Sequence, residues 1–389
     1  MIEFEYWQLL LFPLFFVLGW AAARIDIKHL VRESRALPRS YFQGLNFLLN
    51  EEPDKAIDAF IEVVKVDPQT VELHFALGNL FRRRGETERA IRMHQNLIDR
   101  ADLSADLKLQ ALAELGQDFL KAGLLDRAEE VFSRLRGTSR DEEAKRHLLE
   151  IYQQEKDWQK AIAIAREMPE YATQKEIANY YCELAAGEMM NSRPDSARQY
   201  LESALSLHRN CVRASVLQGD LLLQAEDLAG AIEAWKRIEN QNPAYLAIVA
   251  RKLQEAYLAR GQREAGLQLL RGYLASYPSL DLLETVFQLV MAAEGADAAY
   301  QLVRDELRRN PTLLGLDHLL EAQLLGVPPE KRADLELVRN LVHNHTRRLA
   351  RYRCDNCGFK ARQFYWRCPA CGGWETYPPK RTEEFDLLP

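Results

Sequence analysis

The 389-residue chain is 47% hydrophobic and 28% charged, which excludes a disordered tail protein and, at about 150 residues per domain, leaves room for several domains. Its 19 glycines and 15 prolines fall below ordinary usage and argue against turn-dense sheet folds. A net charge of -6 lacks the global basic excess of a nucleic-acid binder, and four of the six cysteines crowd between 354 and 371, which reads as a metal cluster rather than a disulfide framework.

In chain order, the first element runs from Tyr6 to Ala23 without a single charge. At 1.5 Å per residue such a helix covers about 27 Å, close to the hydrocarbon thickness of a bilayer, so a single N-terminal transmembrane helix is predicted over 1–23. Trp7 and Trp20 sit near its ends, where amphipathic rings favour the interface. Only Glu3 and Glu5 precede the span, whereas Arg24, Lys28, Arg32, Arg35 and Arg39 follow it. That asymmetry argues for a retained anchor over a cleaved signal peptide, with the N-terminus outside and the body on the cytoplasmic side. Gly19 and Ala23 stand four apart, the small-xxx-small spacing that lets two membrane helices approach, and are candidate transmembrane contacts. Residues 24–36 form a basic juxtamembrane linker.

A repeat follows. Gly44, Phe47, Ala56 and Phe60 recur as Gly78, Phe81, Ala90 and His94, each shifted by 34, and again as Gly116, Phe119, Ala128 and Phe132. Weaker echoes run through Ala161, Ala197, Gly219 with Trp235, Leu270 and Ala299, while Pro68, Pro243, Pro278 and Pro311 close several units. This period and pattern predict an all-α tetratricopeptide solenoid of about eight units over 37–311, with terminal helices over 312–351. Small residues let paired helices approach and aromatics fill the space between pairs. Units four and five are degenerate, with Leu149 and Ala185 where others place glycine. The concave face of such a solenoid would present Asn79, Arg82, Arg83, Gln117 and Lys121, a polar and cationic strip suited to an acidic or extended peptide, unless it is simply a solvated face.

The module 352–389 carries Cys354 and Cys357, ten intervening residues, then Cys368 and Cys371, with Gly358 and Gly372 following the two pairs. Two C-x2-C pairs converge into a tetrahedral thiolate site for one zinc or iron ion, and four sulfurs leave no open position for a catalytic water. Phe359, Phe364, Tyr365, Trp366, Trp374 and Tyr377 are expected to pack around the metal. Cys182 and Cys211 read as small buried hydrophobes, and His343 and His345, two apart, make a poor metal pair. Between Arg339 and Arg381 stand ten bases and two acids, leaving 41 bases against 55 acids elsewhere. That asymmetry suits a basic module facing nucleic acid, anionic lipid or the acidic body of its own solenoid.

The order of anchor, tetratricopeptide array and four-cysteine module resembles, across nearly the whole chain, the lipopolysaccharide assembly protein B family. The stretches Tyr352-x-Cys354-x-x-Cys357-Gly358-Phe359 and Trp366-x-Cys368-Pro369-x-Cys371-Gly372 are similar to its rubredoxin-type module; rubredoxins proper have a longer stretch between the pairs. The resemblance implies an inner-membrane adaptor that brings the lipid A pathway deacetylase to a membrane AAA+ metalloprotease, with a membrane-embedded antagonist and other lipopolysaccharide assembly proteins as further partners. Independently of it, no H-E-x-x-H, G-x-S-x-G or phosphate-binding glycine loop is present, so a scaffold is expected rather than an enzyme. The alternative from another class is a nucleic-acid binder using the basic ribbon. A homo-oligomer is compatible with either.

Overall fold

The computed structural model describes residues 16–17, 19–20, 39–50, 52–66, 71–346 and 352–379. Of the expected span, Phe16, Val17, Gly19 and Trp20 are helical and exposed, while Ala23 and the linker 24–36 lie outside the described residues, as does Pro68. No helix among the described residues is long and apolar enough to cross a membrane.

The chain divides into two compact units, residues 1–151 and 152–389. In the first, α1 (Arg39–Leu49) packs with α2 (Pro53–Val66), α3 (Val71–Arg84) with α4 (Thr87–Asp99), and α5 (Ala105–Lys121) with α6 (Leu125–Leu135). Helix α7 (Asp141–Glu155) starts in that unit and ends in the next. In the second, α8 (Trp158–Arg166) packs on α9 (Gln174–Met190), which pairs with α10 (Pro194–Leu207), and α11 (Val212–Gln224) pairs with α12 (Leu228–Lys236). The short α13 (Ile238–Gln241) and a 3-10 turn opened by Pro243 lead into α14 (Leu246–Ala259). The pairs α14 with α15 (Arg263–Ser276), α16 (Leu280–Glu294) with α17 (Ala296–Arg309), and α18 (Leu313–Gly326) with α19 (Pro329–Thr346) complete the helical part. A two-stranded antiparallel ribbon, β1 (Tyr352–Arg353) and β2 (Lys360–Ala361), ends the described chain.

The repeat has the physical cause its pattern suggested. Gly44, Gly78, Gly116 and Gly219 each lie against the ring of a residue sixteen positions on, namely Phe60, His94, Phe132 and Trp235, and a Cβ at any of them would overlap that ring. The small and aromatic partners Ala56, Phe60, Ala90, Ala128, Phe132, Ala161, Ala197, Ala231, Trp235 and Ala299 are all buried. Helix starts are capped by side chains that accept otherwise orphaned amides: Ser104, Asp157, Asp227, Ser279 and Thr312, with a full capping box at Thr173 and Glu176.

In several turns between successive helices one residue takes positive φ. It is Gly85, Gly123 and Gly261 at φ 84, 74 and 69°, but Lys156, Ser192 and Glu226 at 60, 58 and 60°. A side chain there costs about 1–2 kcal/mol, which the surrounding packing offsets. Lys156 and Ser192 fall in the two repeats that read as degenerate, so the geometry persists where the glycine does not.

Candidate metal centre and its seat on the repeats

The ribbon is built from two similar halves. After each cysteine pair a glycine turns the chain at positive φ, Gly358 at 74° and Gly372 at 72°. Gly358 N donates to Cys354 O and Gly372 N to Cys368 O, both at 2.9 Å, while Cys354 N donates to Phe359 O and Cys368 N to Gly373 O at the same distance. The strand pairing Tyr352 with Ala361 and Arg353 with Lys360, and the bridge between Arg367 and Trp374, hold the two turns face to face.

All four sulfurs therefore lie within 4.8 Å of one another. Cys354 Sγ stands 3.7 Å from Cys371 Sγ, and Cys357 Sγ 3.7 Å from Cys368 Sγ. A tetrahedral cage with metal–sulfur bonds of about 2.3 Å has edges of about 3.8 Å, so this donor set fits one ion. Its electrostatics point the same way. Burial opposes ionisation of Cys354, yet the Thr376 hydroxyl and the Cys357 and Asn356 amides bring its thiol down to about 6. At Cys371 the Gly373 amide favours the thiolate, but partial burial and the neighbouring sulfurs of Cys368, Cys354 and Cys357 push it up to about 12. Four sulfurs this close cannot all ionise without a cation among them. Cys354 and Cys368 are buried and Cys357 and Cys371 exposed, so one edge of the site faces solvent.

Of the aromatics expected around the metal, Phe364, Tyr365 and Tyr377 pack with Cys354 and Cys368, joined by Tyr352, and Phe359 lies against Tyr377. Trp366 and Trp374 instead turn away and seat the ribbon on the helices of the second unit. Trp374, 4% exposed, meets Trp158 and Tyr180 edge-on with centroids 6.0 Å away, and those two rings stack on each other at 5.6 Å. Trp366 stacks on Tyr245 at 5.9 Å. The Arg213 guanidinium lies over both tryptophans, 5.9 and 5.5 Å from their centroids, and is ion-paired to Glu183 at 2.8 Å. Polar contacts lock the seat: Arg213 N and the Cys211 thiol donate to Glu375 Oε1, Lys175 Nζ donates to Glu375 O, and Arg367 donates to Gln153 Oε1. Glu375 reaches them from a backbone at φ 47°. Burial pushes the Tyr180 and Tyr245 phenols well above their ordinary value. The seat is thus mainly aromatic, not the pairing of a basic module with an acidic body that the charge asymmetry suggested.

Comparison with known proteins agrees with this layout. The rubredoxin metal binding domain family matches residues 352–379 and the tetratricopeptide repeat family residues 43–102 and 184–245. Lipopolysaccharide assembly protein B of Escherichia coli K12 is 35% identical over 379 residues, covering 96% of this chain and 97% of that protein. The chain belongs to the lipopolysaccharide assembly protein B family. The protein of that name from Haemophilus influenzae is 31% identical over 394 residues, covering 96% and 98% of the two chains. Among solved structures, a tetratricopeptide repeat protein of Parabacteroides merdae aligns over 79% of this chain and 98% of its own, at 13% identity and a TM-score of 0.33. Membership places the chain with assembly proteins of repeat architecture, not with enzymes.

In this member of the lipopolysaccharide assembly protein B family the cationic strip is partly consumed from within. Arg82, its side chain 16% exposed, donates to Asn79 Oδ1, Glu114 Oε2, Glu114 O and Asp118 Oδ1 at 2.6–3.1 Å, and Asp118 Oδ2 meets the buried His94 Nδ1 at 2.5 Å. Asn79 therefore serves Arg82, and Gln117 donates to Glu143. Arg83 and Lys121 remain exposed. The guanidinium of Arg82 is engaged by acids 32 and 36 residues on, one repeat away. His343, without an expected role, meets Asp317 at 2.7 Å and, with Arg339 reaching Asp317 and Glu321, ties α19 to α18. Arg213 and Glu375 carry no motif, and only their lengths and charges hinted that a buried contact would need them. The thiols of Cys182 and Cys211 lie 3.8 Å apart inside the helical core.

Proposed function

We propose that the chain is a single-pass adaptor of the bacterial inner membrane, body on the cytoplasmic side, which limits lipopolysaccharide synthesis by bringing the lipid A pathway deacetylase to a membrane AAA+ metalloprotease, opposed by a membrane-embedded antagonist. What supports this reading is membership of the lipopolysaccharide assembly protein B family, and Trp374, edge-on to the stacked rings of Trp158 and Tyr180, joins metal module and helices into one presenting surface. Cys354, Cys357, Cys368 and Cys371 would hold one zinc or iron ion, whose contribution is to fix the ribbon's shape. Beside the seat, a cleft of about 610 Å³ lined by Arg251, Gln254, Glu284, Gln288, Tyr352 and Phe364 stays open to a segment of a partner. An N-terminal span would add effective concentration, since a tether turns capture beside a membrane protease into a nearly intramolecular event.

Of the ribbon's bases, Arg367 is engaged by Gln153 and lies over Trp374, which withdraws it from the basic-ribbon alternative. The decisive experiment is a crosslinking capture from membranes combined with the deacetylase half-life in cells. Wild type should co-capture deacetylase and protease and keep the half-life short; the Trp374→Ala chain should lose one or both partners and lengthen it. A half-life unchanged when the whole chain is deleted rejects the reading.

A further inference from the structure

Two thiols that the metal centre does not use lie under the ribbon. Cys182 sits midway along α9 and Cys211 immediately precedes α11; both are fully buried, with their sulfurs 3.8 Å apart. A single buried cysteine is a small hydrophobe, but two sulfurs in contact need only close to about 2 Å to form a disulfide. The cluster around them is apolar, with Ala178, Ala185, Ala204 and Ala214 among its members. Polar contact comes from the ribbon: Glu375 Oε1 accepts the Cys211 thiol at 3.4 Å and Arg213 N at 3.2 Å.

That contact protects the pair while the ribbon is seated. The Cys182 thiol, burial and the Glu375 carboxylate push the Cys211 thiol well above its ordinary value, and a thiol kept protonated and dry is a poor nucleophile. With the ribbon lifted, carboxylate and cover leave together, and Cys211 becomes a solvated thiol at a helix N-terminus, where the free amides favour its thiolate. We infer that Cys182 and Cys211 form a redox-active dithiol gated by the ribbon, oxidised to a disulfide by hydrogen peroxide when the ribbon is off and sealed against it when the ribbon is seated. The Cys211 thiolate attacks one peroxide oxygen, the O–O bond breaks, and the other oxygen takes up the thiol's proton and leaves as water, giving a sulfenic acid. The Cys182 thiol then attacks that sulfur; the S–S bond forms, the S–O bond breaks, and the hydroxyl leaves with the second thiol proton as water. Two thiols are oxidised and one peroxide is reduced, so no further reagent is needed. The product in turn resists closure, because the bridged Cys211 sulfur has no hydrogen for Glu375, whose carboxylate returns to its buried place with one donor missing. Oxidation and seating therefore oppose one another, each weakening the other by the same factor.

The full chain is exposed to hydrogen peroxide, quenched with N-ethylmaleimide and digested, and the peptide linked through Cys182 and Cys211 is measured by mass spectrometry. In wild type the link should form slowly. In Trp374→Ala it should form on the order of a hundredfold faster, the factor by which loss of a buried tryptophan raises the lifted population. Glu375→Asn has a side chain too short for Cys211 yet at ease with the positive φ of 47°, and should give roughly a tenfold gain at wild-type helix content, so the test does not depend on Trp374→Ala folding. Oxidised wild type should lose the ribbon's protease resistance and regain it with dithiothreitol. An equally treated Cys182→Ser chain should keep its resistance, which separates the pair from damage to the four ribbon cysteines. Equal rates in wild type and both variants, no link in any of them, or links from Cys211 to the ribbon cysteines instead, overturn the inference. A link that leaves the ribbon as resistant as in Cys182→Ser overturns the opposition of oxidation and seating.

Discussion

The two units solve one problem in opposite ways. In the first, polar side chains of one repeat are satisfied by the next, as Arg82 is by Glu114 and Asp118, and Gln117 by Glu143. In the second, the side chains of Gln153, Lys175 and Cys211 and the backbone N–H of Arg213 are satisfied by a folded module 162 to 214 residues downstream. Neighbour pairing makes the first unit self-sufficient repeat by repeat, as expected of a quasi-one-dimensional array. Cover by the ribbon makes part of the second depend on a metal.

Metal removal should separate the units most sharply. A structural zinc site supplies on the order of 10 kcal/mol to the folding of a small module, so Cys371→Ser or chelation should free the ribbon to proteolysis and red-shift tryptophan emission as Trp374 and Trp366 leave their seat. The first unit should keep its helix content and protease resistance; equal resistance of mutant and wild-type ribbons would break the comparison. Next comes the seat itself. Trp374→Ala should cost the second unit about 3–5 kcal/mol in urea unfolding, while one equivalent of metal stays bound by elemental analysis. Loss of metal together with the seat would mean that the ribbon has no fold of its own.

In the first unit the matching cut is Asp118→Ala, which strands the buried His94 and leaves Arg82 held by Glu114 and Asn79 alone. Removing one partner of a buried ion pair costs about 3–5 kcal/mol; exposure of Arg82 to some solvent puts this case near the lower end. A loss under about 1 kcal/mol would show that the network is merely decorative. The smallest effect on stability is expected from Arg83→Glu with Lys121→Glu, both exposed, which should shift unfolding by no more than about 0.5 kcal/mol. If those residues meet a partner, capture weakens at low salt and recovers little as salt rises. Arg82→Glu is unsuitable for that purpose, because it disrupts the fold it is meant to probe.

Residues close in sequence were the legible ones. The offset of sixteen from Gly44 to Phe60, Gly78 to His94 and Gly219 to Trp235 is visible because both partners sit in one repeat and chemistry allows little else. The cysteine spacing is legible for the same reason. The engagement of Arg82 was not legible because its acids stand a full repeat away, and a strip of bases looks identical whether it faces solvent or a neighbour. Trp366 and Trp374 mislead differently: a tryptophan beside a metal knuckle packs equally well inward or outward, and the rings that draw it outward, Trp158, Tyr180 and Tyr245, lie in other domains of the sequence. The positive φ at Lys156 and Ser192 has no residue signature at all.

The 214 residues between Gln153 and Arg367 also set an order of events at the ribosome. Helical hairpins close in microseconds, whereas synthesis at about 5–20 residues per second delays the ribbon by about 10 to 40 s after Gln153 emerges. During that interval Trp158 and Tyr180, then Arg213 and Tyr245, emerge in the helical part with no ribbon yet to cover them. A chain whose ribbon is missing or unfolded would leave these rings uncovered. Completion of the polypeptide and acquisition of the ion are checked by a single act of closure.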